Sequence, residues 1–377
     1  MAVFRKHRPQ PPLSEGHELT LLVDGAAFFD AVESCIAAAE HYLFLETYIL
    51  GSDETGWRVA GRLVEATQRG VVVSVLYDRF GSSELNPDLL EYLDQHGVLI
   101  QPFAAGSFIE KWWPLARHNH RKSVVRDGEV GIVGGMNIAA EYDAIEHGGG
   151  GWRDTAVCIR GPAVAALERS FREIWGRSGG PALPTSAPPA EPVPGGDSVR
   201  FTHNFLRKER AEIRRAYLDM IRAARRRVRI CNAYFIPDRG LVKALVDAAR
   251  RGVEVELIVA GKSDVPLVHM AARSFYPRLL ARGVRVYEWH DCVLHAKTAV
   301  IDGELSTVGS SNLDYFSSFK NLEVNAVIAS SRFGAQMDAQ FEADVARSRA
   351  VTRIYLRQRS FLQSVFDRVF RYIIRGY

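Results

Sequence analysis

HRKSVVRDGEVGIVGGMN, residues 120–137, and HAKTAVIDGELSTVGSSN, residues 295–312, are one pattern written twice. Aligned without a gap, His120, Lys122, Asp127, Gly134 and Asn137 fall on His295, Lys297, Asp302, Gly309 and Asn312. A lone H-x-K carries almost no information. Five coincident positions, found twice in one chain, point to an internal duplication whose two copies serve one site. In each copy the residues after the lysine (123–126 and 298–301) form a strand-like run ending at Asp-Gly, a strand running into a hairpin turn. Alternate strand residues share a face, so the histidine and lysine of each copy project together. The return strand brings Gly134, Gly135 and Asn137, or Gly309, Ser310 and Asn312, back to the same place. Asp127 and Asp302 fall on the turns and are read, with the small residues Gly134, Gly135, Gly309 and Ser310, as structural.

Working outward, each copy sits in the same setting. Residues 26–39 form a helix with Phe28, Phe29, Val32 and Ile36 on one stripe, followed by YLFLETYIL (42–50), a strand apolar enough to be buried on both faces. A helix over 57–68, Arg-Gly and a strand over 71–77 follow, then a helix near 87–95, Gly97 and a strand over 98–103. The second half replays this: a helix over 210–226, strands over 228–235 and 253–260, and, after Arg282-Gly283, a strand over 284–289. Helix–Gly–strand alternation predicts a largely parallel sheet covered by helices. The expected fold is α/β, two similar α/β/α lobes with the active site at their interface. The expected domains are residues 1–177, a linker over 178–198 with six prolines, a second lobe over 199–350, and a basic amphipathic helix over 351–377.

Composition sets only broad limits. With 47% hydrophobic and 24% charged residues the 377-residue chain is a folded one, and its net charge of +4 does little to select a partner. Cys35, Cys158, Cys231 and Cys292 have no metal-ligand spacing and read as small buried hydrophobes. The first residues lack the apolar core of a signal peptide, and no run approaches the roughly 20 apolar residues of a membrane-spanning helix.

The repeated residue types fit phosphodiester chemistry. Cleavage needs a nucleophile, a proton for the departing alkoxide and positive groups around the phosphoryl oxygens. One neutral histidine can attack while the other, protonated, acts as the acid. Lys122, Lys297, Asn137 and Asn312 supply donors for the oxygens, and no carboxylate cluster for a metal is evident. No cofactor is expected. A histidine in either role needs an acceptor on its second nitrogen. Glu323 in NLEVN is the candidate for His295, and Asp154 in WRDTAV the candidate for His120. Residues 148–151, four glycines before Asp154, read as a flap over the site or as a plain surface loop. His118 is near enough to His120 to line the pocket; His269 and His290 are read as surface or core residues.

On these motifs the chain resembles the phospholipase D superfamily over nearly its full length. FLETYIL, RHNHRK, GGMNIAAEY, NAYFIPD and VGSSNLDYFS are similar to stretches of the bacterial cardiolipin synthases. The resemblance implies that His120 attacks phosphorus to form a phosphohistidine, and that His295 protonates the leaving alcohol and deprotonates the incoming one. It further implies transfer of a phosphatidyl group between phosphatidylglycerol molecules, giving cardiolipin and glycerol, with phosphatidylethanolamine as another conceivable substrate. Hydrolysis by water, or a nuclease activity of the superfamily, is the alternative. Nucleic acid is not an expected partner, because single-motif nucleases of this type must dimerise whereas this chain holds both halves. The family's amino-terminal membrane helices have no counterpart in this sequence, so the likeness is to shorter synthases, peripheral on the cytoplasmic side of the bacterial inner membrane. Two stretches are candidates for contact with an anionic membrane surface: Phe108, Ile109, Trp112, Trp113 and Leu115, and the tail, where Leu362, Phe366 and Phe370 recur on one face among six arginines.

Overall fold

The computed structural model describes residues 10–103, 117–204, 211–262 and 266–352. Residues 108–115 and residues 353–377 of the expected tail helix lie outside the described residues.

The first lobe runs β1 (Ser14–Val23), α1 (Asp24–Ala37), β2 (Tyr42–Thr47), α2 (Glu54–Gln68), β3 (Val72–Asp78), α3 (Pro87–Gln95), β4 (Leu99–Phe103), β5 (Ser123–Arg126), β6 (Val130–Gly134), β7 (Thr155–Arg160) and α4 (Val164–Arg177). The second runs β8 (Asp197–Asn204), α5 (Glu212–Ala223), β9 (Arg227–Asn232), α6 (Arg239–Arg250), β10 (Glu254–Ala260), α7 (Pro266–Arg273), α8 (Tyr276–Leu280), β11 (Arg285–Trp289), β12 (Lys297–Ile301), β13 (Leu305–Gly309), α9 (Tyr315–Phe319), β14 (Glu323–Ala329), α10 (Ser331–Ala346) and β15 (Ser348–Ala350). Side chains cap the start of several helices. Asp53 accepts the Gly56 N–H at the head of α2, and Asp238 accepts those of Gly240 and Leu241 at the head of α6.

Among the described residues fifteen strands join in one sheet, ordered β15-β11-β10-β9-β12-β13-β14-β8-β1-β7-β6-β5-β2-β3-β4. The expected parallel sheet is confined to β2–β3–β4 and β9–β10–β11. The reason is the repeated motif itself. Its hairpin lays β5 antiparallel on β2 and β12 antiparallel on β9, and the strands after it stay antiparallel up to the β1–β8 seam. β2 is buried at every position, Glu46 and Thr47 included, as its largely apolar run predicts.

Each lobe keeps its own core on its outer face, under α1–α3 or under α5, α6 and α8. A third core belongs to both lobes: Val125, Val133, Val157, Phe171 and Trp175 pack with Val300, Val308, Val324, Ile328 and Phe333. Here β6 and β7 meet β13 and β14. The proline-rich linker is extended but tied down. Trp175 Nε1 donates to the Pro181 carbonyl (2.7 Å), Arg172 to that of Pro184 (2.7 Å), and the Ala187 N–H to the Tyr42 hydroxyl (3.1 Å). Cys35 and Cys231 are buried, Cys158 and Cys292 half-buried, and all four are free thiols.

Candidate active site

The two hairpin turns do the same work in both lobes. Asp127 and Asp302 adopt left-handed φ values of 50° and 56°, which aspartate tolerates better than most residues. The Asp127 carboxylate accepts the N–H groups of Glu40, His41 and Tyr42 at 2.8–3.0 Å, and Asp302 accepts those of Arg225, Arg226 and Arg227 at 2.7–2.9 Å. Each aspartate pins the chain entering the central strand of its lobe, at the hairpin end away from the histidine.

At the other end the motifs converge on a cavity of about 540 Å³ lined by both lobes, His120, His295, Asn137 and Asn312 among its residues. The histidines are held by exchange. His120 N donates to the Leu322 carbonyl (3.0 Å) across a one-residue bridge between Asn119 and Leu322, and His295 N donates to the Arg153 carbonyl (2.8 Å) beside a bridge between Arg153 and Leu294. Glu323 follows Leu322, and Asp154 follows Arg153. His120 Nδ1 therefore lies 3.1 Å from both Glu323 oxygens, and His295 Nδ1 lies 2.7 Å from Asp154 Oδ2. The two acids expected from the sequence are both here, but their partners are reversed. Each lobe orients the other lobe's imidazole, because the short bridges carrying the carboxylates cross the interface.

The residue after the motif glycine explains the G-[G/S] variation. A Cβ at Gly135 would come within 2.4 Å of the Asp154 carboxylate, so only glycine lets that acid reach His295. Ser310 instead donates its hydroxyl to Glu323 at 2.5 Å. Gly134 and Gly309 are pressed in the same way against β7 and β14, where an added Cβ would lie 2.4 Å from Ala156 Cβ and 2.3 Å from the Val324 carbonyl.

Electrostatics separate the two pairs. Burial lowers the His120 pKa well below its ordinary 6.5, and Lys122, Lys297 and His295 push the same way. Burial and Lys297 also lower His295, but Asp154 opposes them through its hydrogen bond and charge. Burial alone would raise the Asp154 carboxyl; Lys297 and the His295 bond outweigh it and hold the group below its usual range. Burial pushes Glu323 up to about 8 despite Lys122, Ser310 and Ser317. Asp154 thus stands as a fixed anion and Glu323 retains a proton near neutrality. Burial also lowers Lys122 to about 7.

Neither lysine lines the cavity. Lys122 Nζ donates to the His120 carbonyl at 2.9 Å, and Lys297 Nζ to that of His295. The Lys122 ammonium also lies 5.0 Å from the Tyr48 ring centroid. Asn137 Oδ1 accepts the Ile49 N–H (3.0 Å) while its Nδ2 donates to the Tyr142 hydroxyl (2.7 Å). Asn312 Oδ1 accepts the Tyr234 N–H (3.3 Å). Asn137 Nδ2 keeps a second N–H beyond the one given to Tyr142.

Sequence reasoning missed the aromatic wall. The Tyr48 ring is 4.9 Å from His120, and Tyr142 and Trp152 are 5.1 and 5.8 Å from His295. Their signal lay in the ends of FLETYIL, GGMNIAAEY and the WRD triplet. Asp314, whose carboxyl burial raises to about 7, also lines the cavity. The glycine stretch is no free flap: Gly149, Gly150 and Gly151 donate to the carbonyls of Ala144, Ala140 and Asp143 at 2.8–2.9 Å. His269 and His290 lie 3.8 and 3.4 Å from buried Glu288, outside this cavity. Among the described residues no group of three or more His, Cys, Asp or Glu side chains is arranged to hold a metal ion.

Known proteins share this architecture. The cardiolipin synthase, phospholipase D-like domain family matches residues 32–175 and 217–345. Cardiolipin synthase of Geobacillus thermodenitrificans is 33% identical over 96% of this chain and 73% of its own. Cardiolipin synthase A of Pseudomonas aeruginosa is 34% identical over 96% and 74%. Cardiolipin synthase B of Salmonella typhi is 38% identical over 85% and 78%. In fold, the chain is similar to the crystal structure of phosphatidylserine synthase from Haemophilus influenzae, with a TM-score of 0.69 at 15% identity over 95% of this chain and 92% of that one. Duplicated lobes, a shared cavity and these relatives lead to one assignment: the chain belongs to the cardiolipin synthase family of phospholipase D-like proteins.

Proposed function

We infer that the protein is a phosphatidyltransferase that makes cardiolipin from phosphatidylglycerol. The observation that carries this reading is the pair of crossed histidine–carboxylate couples opening on one apolar-walled cavity, in a chain whose relatives are named cardiolipin synthases. His120, kept neutral by burial, attacks phosphorus through Nε2. The P–O bond to glycerol breaks as His295 delivers a proton to the departing oxygen, leaving a phosphatidyl–histidine. A hydroxyl of a second phosphatidylglycerol then gives its proton to His295 and attacks phosphorus, and the N–P bond breaks. Two phosphatidylglycerols become one cardiolipin and one glycerol. One phosphodiester is exchanged for another, so the scheme consumes no nucleotide.

The fixed charge of Asp154 supports His295 as the proton carrier, since an imidazolium beside an ionised carboxylate is stabilised. His120 is kept neutral by burial, and with its Nδ1 against the Glu323 carboxyl its Nε2 is the nitrogen left for attack. Lys122 and Lys297, bonded to the histidine carbonyls behind the cavity wall, contribute positive charge to the site from outside it. The cavity is of small-ligand size, suiting head groups, with Tyr48, Phe80, Trp152 and Ile236 toward glycerol and acyl carbons. Among the described residues no helix is long and apolar enough to cross a membrane. The proposed working place is peripheral, on the cytoplasmic face of the inner membrane.

The test is lipid mass spectrometry on phosphatidylglycerol vesicles incubated with purified protein in EDTA without CTP, beside His120→Ala. Cardiolipin and glycerol from the wild type alone are expected. Phosphatidic acid as the sole product would replace the transferase by a hydrolase, and the absence of any lipid product would turn attention to other phosphodiesters.

A further inference from the structure

Three imidazoles line the cavity, and the transfer scheme uses two. The third, His118, is 8% exposed. Its carbonyl accepts the Leu322 N–H (2.8 Å) while the His120 N–H donates to the Leu322 carbonyl (3.0 Å), so residues 118–120 are extended across the lobe interface. His118 and His120 therefore leave the same face of the chain, roughly 6.6 Å apart by strand rise. His118 Nδ1 lies 3.5 Å from Oδ1 of Asp78, a carboxylate only 1% exposed that also accepts the N–H groups of Phe80, Gly81 and Asn119. The imidazole packs on Phe80, with ring centroids 4.7 Å apart. Its Nε2 has no hydrogen-bond partner among the described residues. Asn321, one residue before the bridge, also lines the cavity, and its Oδ1 is likewise without a partner there. Two orphaned polar atoms on one wall point to a ligand that satisfies them.

The chemistry supplies such a ligand. In the reaction inferred above, the acceptor alcohol carries its own phosphodiester, separated from the attacking oxygen by a glycerol skeleton. A second anion must then enter a cavity whose wall is mostly aromatic and apolar, where an uncompensated charge is costly. Among the described lining residues, His118 is the remaining basic side chain once His120 and His295 are assigned.

We propose that His118, backed by Asp78 and flanked by Asn321, is the phosphate subsite of the acceptor lipid. The proposal rests on the transferase reading of the same cavity. His118 holds the acceptor's phosphodiester, Asn321 Oδ1 takes the neighbouring glycerol hydroxyl, and the spacing along residues 118–120 sets the attacking oxygen against the phosphorus on His120. The subsite selects a phosphate-bearing alcohol over water or a simple alcohol.

The experiment measures how the phosphatidyl group partitions among acceptors. Full-length wild type and His118→Gln are given phosphatidylglycerol vesicles with 1-butanol, and cardiolipin, phosphatidylbutanol and phosphatidic acid are quantified together. In the variant, cardiolipin should fall about 10- to 100-fold relative to the other two products, the worth of one charge-assisted hydrogen bond. A melting temperature matching the wild type qualifies the variant as folded, with His118→Asn as the second replacement. All three products falling in proportion, or an unchanged partition, would overturn the subsite. Cardiolipin missing from the wild type itself would strike the transferase reading instead.

Discussion

His295 and Asp154 are 141 positions apart in the chain and 2.7 Å apart in space, while His120 and Glu323 are separated by 203 positions and 3.1 Å. Asp154, Glu323 and His295 are buried and His120 is half-buried, and a buried charge held by one specific contact loses heavily when that contact goes. A double-mutant cycle tests the crossing. Asp154→Asn combined with His295→Gln should show a coupling of about 1–3 kcal/mol in kcat/KM, and Asp154→Asn with His120→Gln a clearly smaller one. The reverse order would restore the within-lobe pairing that sequence spacing favours. That spacing misled for a definite reason. Asp154 follows His120 and Glu323 follows His295 at comparable spacings within their own halves, so each acid read as its own lobe's partner.

At the scale of elements, the repeated unit is a hairpin anchored at one end and functional at the other. The anchoring aspartates sit in left-handed backbone and collect three N–H groups each. Asp302→Ala would remove the shared acceptor of three N–H groups, one of them part-buried, and place alanine at φ 56°. It should destabilise the fold by about 2–4 kcal/mol in urea unfolding. The folded fraction should keep near-wild-type turnover, because Asp302 lies at the far end of β12 from the site. A collapse of turnover with stability intact would instead give the aspartate a part in the chemistry. The Asp-Gly turns were legible in the sequence because turn chemistry is local. The extent of parallel pairing was not, since it depends on which edge of the central strand the hairpin takes.

For the whole molecule, the shared core is decisive. Val125, Val157 and Trp175 of one lobe bury against Val300, Val324 and Phe333 of the other, and Arg153 reaches from beside the site to Asp344 on α10 at 2.8 Å. Lobes joined this way should unfold as one unit. Scanning calorimetry of the full chain is expected to give a single transition whose calorimetric and van't Hoff enthalpies agree, and two resolved transitions would contradict it. The sequence by itself determined the duplication, the hairpins, the central buried strands and the residue types gathered at the site. All of these follow from short-range patterns: strand periodicity, Asp-Gly turns and the matched spacing of histidine, lysine and asparagine. Only the tertiary structure decided which acid serves which histidine, which aromatic rings wall the cavity and that His118 stands among them with its Nε2 unpaired among the described residues. Those facts depend on how two lobes dock, and docking is set by side chains far apart in the chain whose patterns carry no record of one another.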